Sequence, residues 1–160
     1  MFVLVLLLHG ISVRLAAQQS IVYSQYIYNG LILNPAYAGS HIQLSATASY
    51  RNQWVNFEGA PQTATLGVHS ALNRSKVGLG LLITSDKVGS YTNTGVSAAY
   101  AYRIQDRRGG VLSMGLQGGF NNFRADFSDL KLKAGQDPTF NGSLSELKPN
   151  FGGGVYYSSK

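Results

Sequence analysis

Side-chain character alternates with a period of two along this chain, and the pattern recurs in six separate segments. Successive Cβ atoms of a β-strand point to opposite faces, so strict alternation marks a strand whose two faces meet different surroundings. In the first segment Leu44, Ala46, Ala48 and Tyr50 interleave with Ser45, Thr47, Ser49 and Arg51; in the second Ala64, Leu66 and Val68 interleave with Thr63, Thr65, Gly67 and His69. The third sets Val77, Leu79, Leu81 and Ile83 against Gly78, Gly80 and Thr84, with Leu82 as the exception. The fourth sets Val96, Ala98, Tyr100, Tyr102 and Ile104 against Asn93, Gly95, Ser97, Ala99, Ala101 and Arg103. Leu112, Met114, Leu116 and Phe120 alternate with Ser113, Gly115, Gln117, Gly119 and Asn121 in the fifth, and Phe151, Val155 and Tyr157 stand beside Gly152, Gly154, Tyr156 and Ser158 in the sixth. The segments approach the ~9–11 residues of a tilted membrane strand, and none carries a helical period.

Each segment thus has one greasy face and one polar or small face. Only 12% of the residues are charged, about half the usual ~25% of a soluble domain, so the apolar residues are diluted by uncharged polar ones. That balance suits the wall of a lipid-facing barrel. The connections support the same reading. Asn73-Arg74-Ser75 and Gln105 to Gly110 are short, Asn56 to Pro61 and Arg124 to Pro149 are longer, and Asp86 to Ser90 is neutral. Membrane barrels likewise pair short periplasmic turns with longer external loops. Tyr50, Trp54, Tyr91, Tyr100, Tyr102, Phe120, Phe123, Tyr156 and Tyr157 fall mostly near segment ends. They read as an interfacial girdle or, alternatively, as core aromatics of a soluble sandwich.

The apolar run from Phe2 to Leu8 is too short for a transmembrane helix. With Ala17 as the small residue before a cut, residues 1–17 read as a removed export signal, although no Lys or Arg precedes the run. A buried first strand, or a start codon assigned too late, is the alternative. Residues 18–43 then form a periplasmic segment leading into the first strand, and residues 44–160 an incomplete barrel domain. Six strands are fewer than the roughly eight of a small closed barrel, and an open edge in hydrocarbon leaves amides unpaired. The expectation is a fragment, or a wall completed by a partner copy.

The chain has no cysteine, which removes thiol catalysis and thiolate metal sites. Its 13 basic residues outnumber 7 acidic ones, yet they are scattered beside turns and not gathered on one helix, so nucleic-acid binding is not expected.

Several stretches resemble the PorP/SprF family of type IX secretion system membrane proteins of Bacteroidetes. They are Gln18-Gln19 with Tyr23-Ser24-Gln25-Tyr26, Asn34-Pro35-Ala36-Tyr37-Ala38-Gly39, Tyr50-Arg51-Asn52-Gln53-Trp54, Gly59-Ala60-Pro61-Gln62-Thr63, Gly78-Leu79-Gly80, Leu112 to Gly119, and Lys148-Pro149-Asn150-Phe151-Gly152 onward to Tyr157. The resemblance covers essentially all of the chain after the signal. It implies an outer-membrane barrel about twice this length, working with the type IX translocon and gliding-motility machinery. Family members assist secretion or surface anchoring of adhesins and contact periplasmic ring or lipoprotein components. No catalytic residue is attached to the family, and no cofactor or metal site is expected in this chain.

Read without the family, Asn34 to Gly39 is turn chemistry: Pro35 fixes φ and Gly39 permits a positive φ before the first strand. A plug or strand-leading turn fits as well as a docking role. Arg51 and Trp54 read as a lumen charge and an interface anchor, or simply as the finish of the first strand. A serine hydrolase needs a base and an orienting group around its nucleophile; His41 and His69 are the only histidines after the signal, and no Gly-x-Ser-x-Gly surrounds a serine. His69 reads as a lumen-facing structural residue. Asp126 and Asp129 are too sparse for a calcium loop, and the glycines from Gly115 to Gly119 read as relief of crowding inside a curved wall. Two other functions share the pattern: a passive outer-membrane channel or small-molecule transporter, and a soluble exported β-sandwich adhesin domain.

Overall fold

A computed structural model describes residues 29–72, 76–107, 109–126 and 143–159. The expected signal (1–17), the link 73–75 and most of the long link after Arg124 lie outside the described residues. All six alternating segments are strands: β1 (Ser45–Asn52), β2 (Gln62–Leu72), β3 (Val77–Val88), β4 (Tyr91–Gln105), β5 (Val111–Asp126) and β6 (Ser143–Ser158). They pair in sequence order as one antiparallel meander, β1-β2-β3-β4-β5-β6. The sheet is not closed, and β1 and β6 are its edges, as in part of an up-and-down barrel wall. No helix among the described residues is long and apolar enough to cross a membrane.

The ladder carries the alternation across the whole sheet. Partners in an antiparallel pair share a face, so Ala46, Val68, Leu81, Ala98, Gly118 and Phe151 form one row on the apolar face. On β5 that face runs from Leu112 to Phe120 before Asn122 and Arg124. Eight steps span roughly 26 Å along the strand, or about 20 Å after a tilt of ~40°, against an apolar band of ~25 Å in membrane barrels. Toward the 53–61 loop the same face turns polar in the row Asn52, Gln62, Lys87, Thr92, Arg124 and Ser145.

Burial is the reverse of a water-soluble sheet. Phe151 is 80% exposed and Leu116 70%, whereas Ser113 is 2%, Thr65 7% and Asp86 7% exposed. A soluble monomer rarely exposes contiguous apolar patches beyond a few hundred Å², and here the outward apolar side chains extend over every strand. The buried carboxylate of Asp86 accepts a 2.5 Å hydrogen bond from the Thr63 hydroxyl, across the β2–β3 pair on the polar face. Tyr50, Tyr100, Tyr102, Phe120 and Tyr157 belong to the apolar face, while Tyr91, Phe123 and Tyr156 share the polar one.

Two connections differ from the sequence reading. β3 continues to Val88, and a tight turn at Gly89-Ser90, with Gly89 at φ 57°, leads into β4. β6 begins at Ser143, so part of the expected long link from Arg124 to Pro149 is strand. From Ser143 to Lys148 neither face is consistently apolar, because this end of the sheet lies beyond the apolar band on both faces. Pro149 lies on an edge strand, where a missing N–H is tolerated.

Candidate functional site: a segment docked on the polar face

Part of the polar face is covered by the chain's own residues 29–41. A one-turn helix, α1 (Gly30–Leu33), is followed by a 3₁₀ turn at Pro35–Tyr37, and together they touch β2 through β6. The local sequence dictates this shape. The Asn34 side chain accepts a 2.9 Å hydrogen bond from the Ala36 amide, Pro35 occupies the first turn where its missing N–H is harmless, and Gly39 turns the chain away at φ 71°. The expected turn chemistry is therefore observed, and the turn lies flat against the sheet.

Docking uses four kinds of contact. Leu31, 1% exposed, packs with Ala38, Leu82, Ala99 and Ala101 in a small core. Leu82, the one apolar residue that breaks the third segment's alternation, is the sheet's contribution to that core. Backbone approaches glycine at two points: a Cβ at Gly78 would fall on the Ala38 carbonyl, and one at Gly115 on the Pro35–Ala36 backbone. Polar ties then fix the register, with Asn34 Nδ2 donating to the Val155 carbonyl at 2.9 Å and Arg103 Nη1 donating to the Gly39 carbonyl.

Aromatic contacts complete the site. The Tyr37 ring meets His69 edge-on at 5.4 Å, Tyr156 at 5.5 Å and His41 at 6.2 Å, and the two imidazoles lie 5.5 Å apart. His69 is on the polar face and buried, as expected of a structural histidine. Ser40 Oγ lies 3.2 Å from His41 Nδ1, but both are on the surface, and the ring's other neighbours are Tyr37 and His69.

The residues carrying the family resemblance fall into three places. Asn34, Pro35, Tyr37 and Gly39 all belong to the docked segment. Tyr50, Arg51, Gln53, Trp54 and Pro61 surround the β1–β2 loop. Tyr50 is on the apolar face and Arg51 on the polar one; Gln53, with its amide oxygen turned toward the guanidinium, accepts from Arg51 at 2.9 and 3.0 Å. Its own amide donates to the Pro61 carbonyl at 3.0 Å, closing the loop. Trp54 lies beyond β1 in a left-handed conformation (φ 52°), 70% exposed, with its ring edge-on to Phe57 at 6.4 Å. Asn150 and Gly152 share the polar face of β6, and Phe151 points away from it. Asn150 lines an open groove of about 1150 Å³ together with Asp86, Asn93, Asn121 and Lys148.

Sequence reasoning did not single out Leu31, Arg103 or Tyr156 as parts of a site. Arg103 had a legible signal: it is the only charge in the polar half of the fourth segment.

Asn34 serves as a cap and as a tether. Its replacement by Ala should remove both, at about 1–2 kcal/mol in total. A lowered midpoint in thermal unfolding of detergent-folded N34A, with unchanged circular dichroism, is the expected readout.

No curated protein and no solved structure matches the chain. The family of type IX secretion system membrane proteins PorP/SprF matches residues 15–160. With nearly the whole chain matched, and with a meander whose apolar face is outermost, the chain belongs to the PorP/SprF family of type IX secretion system membrane proteins.

Proposed function

We propose that this protein is a non-enzymatic wall component of the outer-membrane part of the type IX secretion and gliding-motility machinery, where it assists secretion or surface anchoring of adhesins. The observation that carries this reading is the inverted sheet. Its apolar face suits hydrocarbon, and part of its polar face is occupied by the protein's own segment, beside the open groove. A partly filled interior favours a scaffold over a passive channel. Export directed by residues 1–17, and contact with periplasmic ring or lipoprotein subunits and with adhesin cargo, belong to the same proposal. In this orientation the end of the sheet that carries Leu72, Val77, Gln105 and Val111 faces the periplasm.

Deletion of the native gene tests it. Loss of surface adhesin with retention of the cargo inside the cell, restored by the wild-type gene, is the expected result. In the restored strain the protein should stay in the membrane pellet after carbonate extraction and migrate faster on a gel when unheated. Normal adhesin export in the deletion strain contradicts the secretion role, and release by carbonate contradicts the membrane wall.

A further inference from the structure

Beyond the docked segment, at the end of the polar face that carries the 106–110 turn, lies a cavity of about 360 Å³. Its lining includes Arg103, His41, Tyr37, Ser113, Tyr156 and Ser158, residues that carry cationic or hydroxyl donors. Among the described residues no Asp or Glu lines it.

This donor set is unbalanced. A guanidinium partly withdrawn from water gains from a counter-charge or further acceptors. Among the described residues, Arg103 has one acceptor, the Gly39 carbonyl, and its Nε is enclosed without a partner. The nearest acid in sequence, Asp106, turns its carboxylate to the Arg107 amide at 2.7 Å. Lys76 and Arg107 are exposed at this end of the sheet, and the Lys76 carbonyl accepts from the Arg103 amide at 2.8 Å. The result is a small cavity with cationic and hydroxyl donors and basic residues at its end of the sheet.

We propose that this cavity is a carboxylate-binding site, filled by an acidic side chain of a peptide, with Arg103 as the charged partner. A planar carboxylate accepts paired hydrogen bonds from a guanidinium, and the surrounding hydroxyls supply further donors. The volume of about 360 Å³ accommodates one side chain, and the basic residues outside favour an acidic segment around it. The site stands on the cavity's chemistry alone and does not depend on the secretion role.

The test is a titration of the detergent-folded full-length protein with a fluorescent Glu-rich peptide, using its Gln-rich counterpart as the control. Saturable binding of the Glu peptide is expected, at least about tenfold tighter than the Gln peptide. R103Q should lose about tenfold or more in affinity and R103K should recover part of it, with both variants keeping heat-modifiable migration. Should R103Q fail to fold, the exposed pair K76Q/R107Q provides the second reading, with binding weakened and its salt dependence reduced. Sodium acetate displacing the peptide assigns the site to the carboxylate alone, and failure of acetate to compete assigns it to the carboxylate within its peptide; both support the proposal. Displacement by inorganic phosphate at concentrations where acetate has no effect overturns the carboxylate assignment. Equal binding of the Glu and Gln peptides, or wild-type affinity in both R103Q and K76Q/R107Q, overturns the site.

Discussion

Leu81→Arg should destabilise the membrane-folded protein by about 2–4 kcal/mol, the cost of a cation at the midplane of a lipid-facing barrel wall. Leu81 lies in the central apolar row between Val68 and Ala98 and is 44% exposed. At that exposure in water the same change falls within ±0.5 kcal/mol or so, so sign and size separate a lipid face from a solvated one. Thr84→Arg is the control, since Thr84 shares the same strand but lines the open groove on the polar face. Urea unfolding of protein folded into vesicles, followed by gel migration, gives both values. A large loss for L81R beside a small one for T84R is expected; equal effects contradict the assignment of the faces.

The second large effect concerns docking. Gly115→Val places a branched side chain where the Pro35–Ala36 backbone already lies. A backbone cannot rotate away as a side chain can, so the segment must lift or the strand must shift, at about 3 kcal/mol or more. Release of the segment also uncovers Leu31 and breaks the Asn34 and Arg103 ties. Protease cleavage between residues 29 and 41 should therefore appear in G115V together with a lower unfolding midpoint. Gly118→Val is the matched control: it faces the other way, where an added Cβ meets only the Phe151 ring at 3.6 Å, an ordinary contact. If G115V resists protease as well as G118V does, the docked arrangement is wrong.

These two experiments probe parts of the structure that differ in how plainly the sequence shows them. The strands are legible because each crosses a boundary between lipid-like and polar surroundings, and that boundary imprints a two-residue period on Ala46 to Arg51 as clearly as on Leu112 to Asn121. Where β6 runs beyond the apolar band, from Ser143 to Lys148, no such contrast exists and the period vanishes. The turn from Asn34 to Gly39 is legible in its local chemistry, but its destination is not, because that depends on residues as far along the chain as His69, Arg103 and Val155. Leu82 and Gly115 are instructive in this respect. Each looks like a minor irregularity of its own strand, an apolar residue on the polar face and a glycine attributed to wall curvature. Both are imprints of the segment lying across them. At Gly119 the curvature reading fits better, since a Cβ there would fall on the Val96 carbonyl of the neighbouring strand.

All of this depends on which face of the sheet meets lipid. The chain contains no cysteine, so single cysteines can be placed at each position from Val96 to Ile104 along β4, spin-labelled, and read for collision with oxygen and with a water-soluble nickel complex in vesicles. Residues 96, 98, 100, 102 and 104 should collide with oxygen, which concentrates in lipid, and 97, 99, 101 and 103 should be shielded from it. A flat profile, or high nickel accessibility at the even positions, would contradict the account.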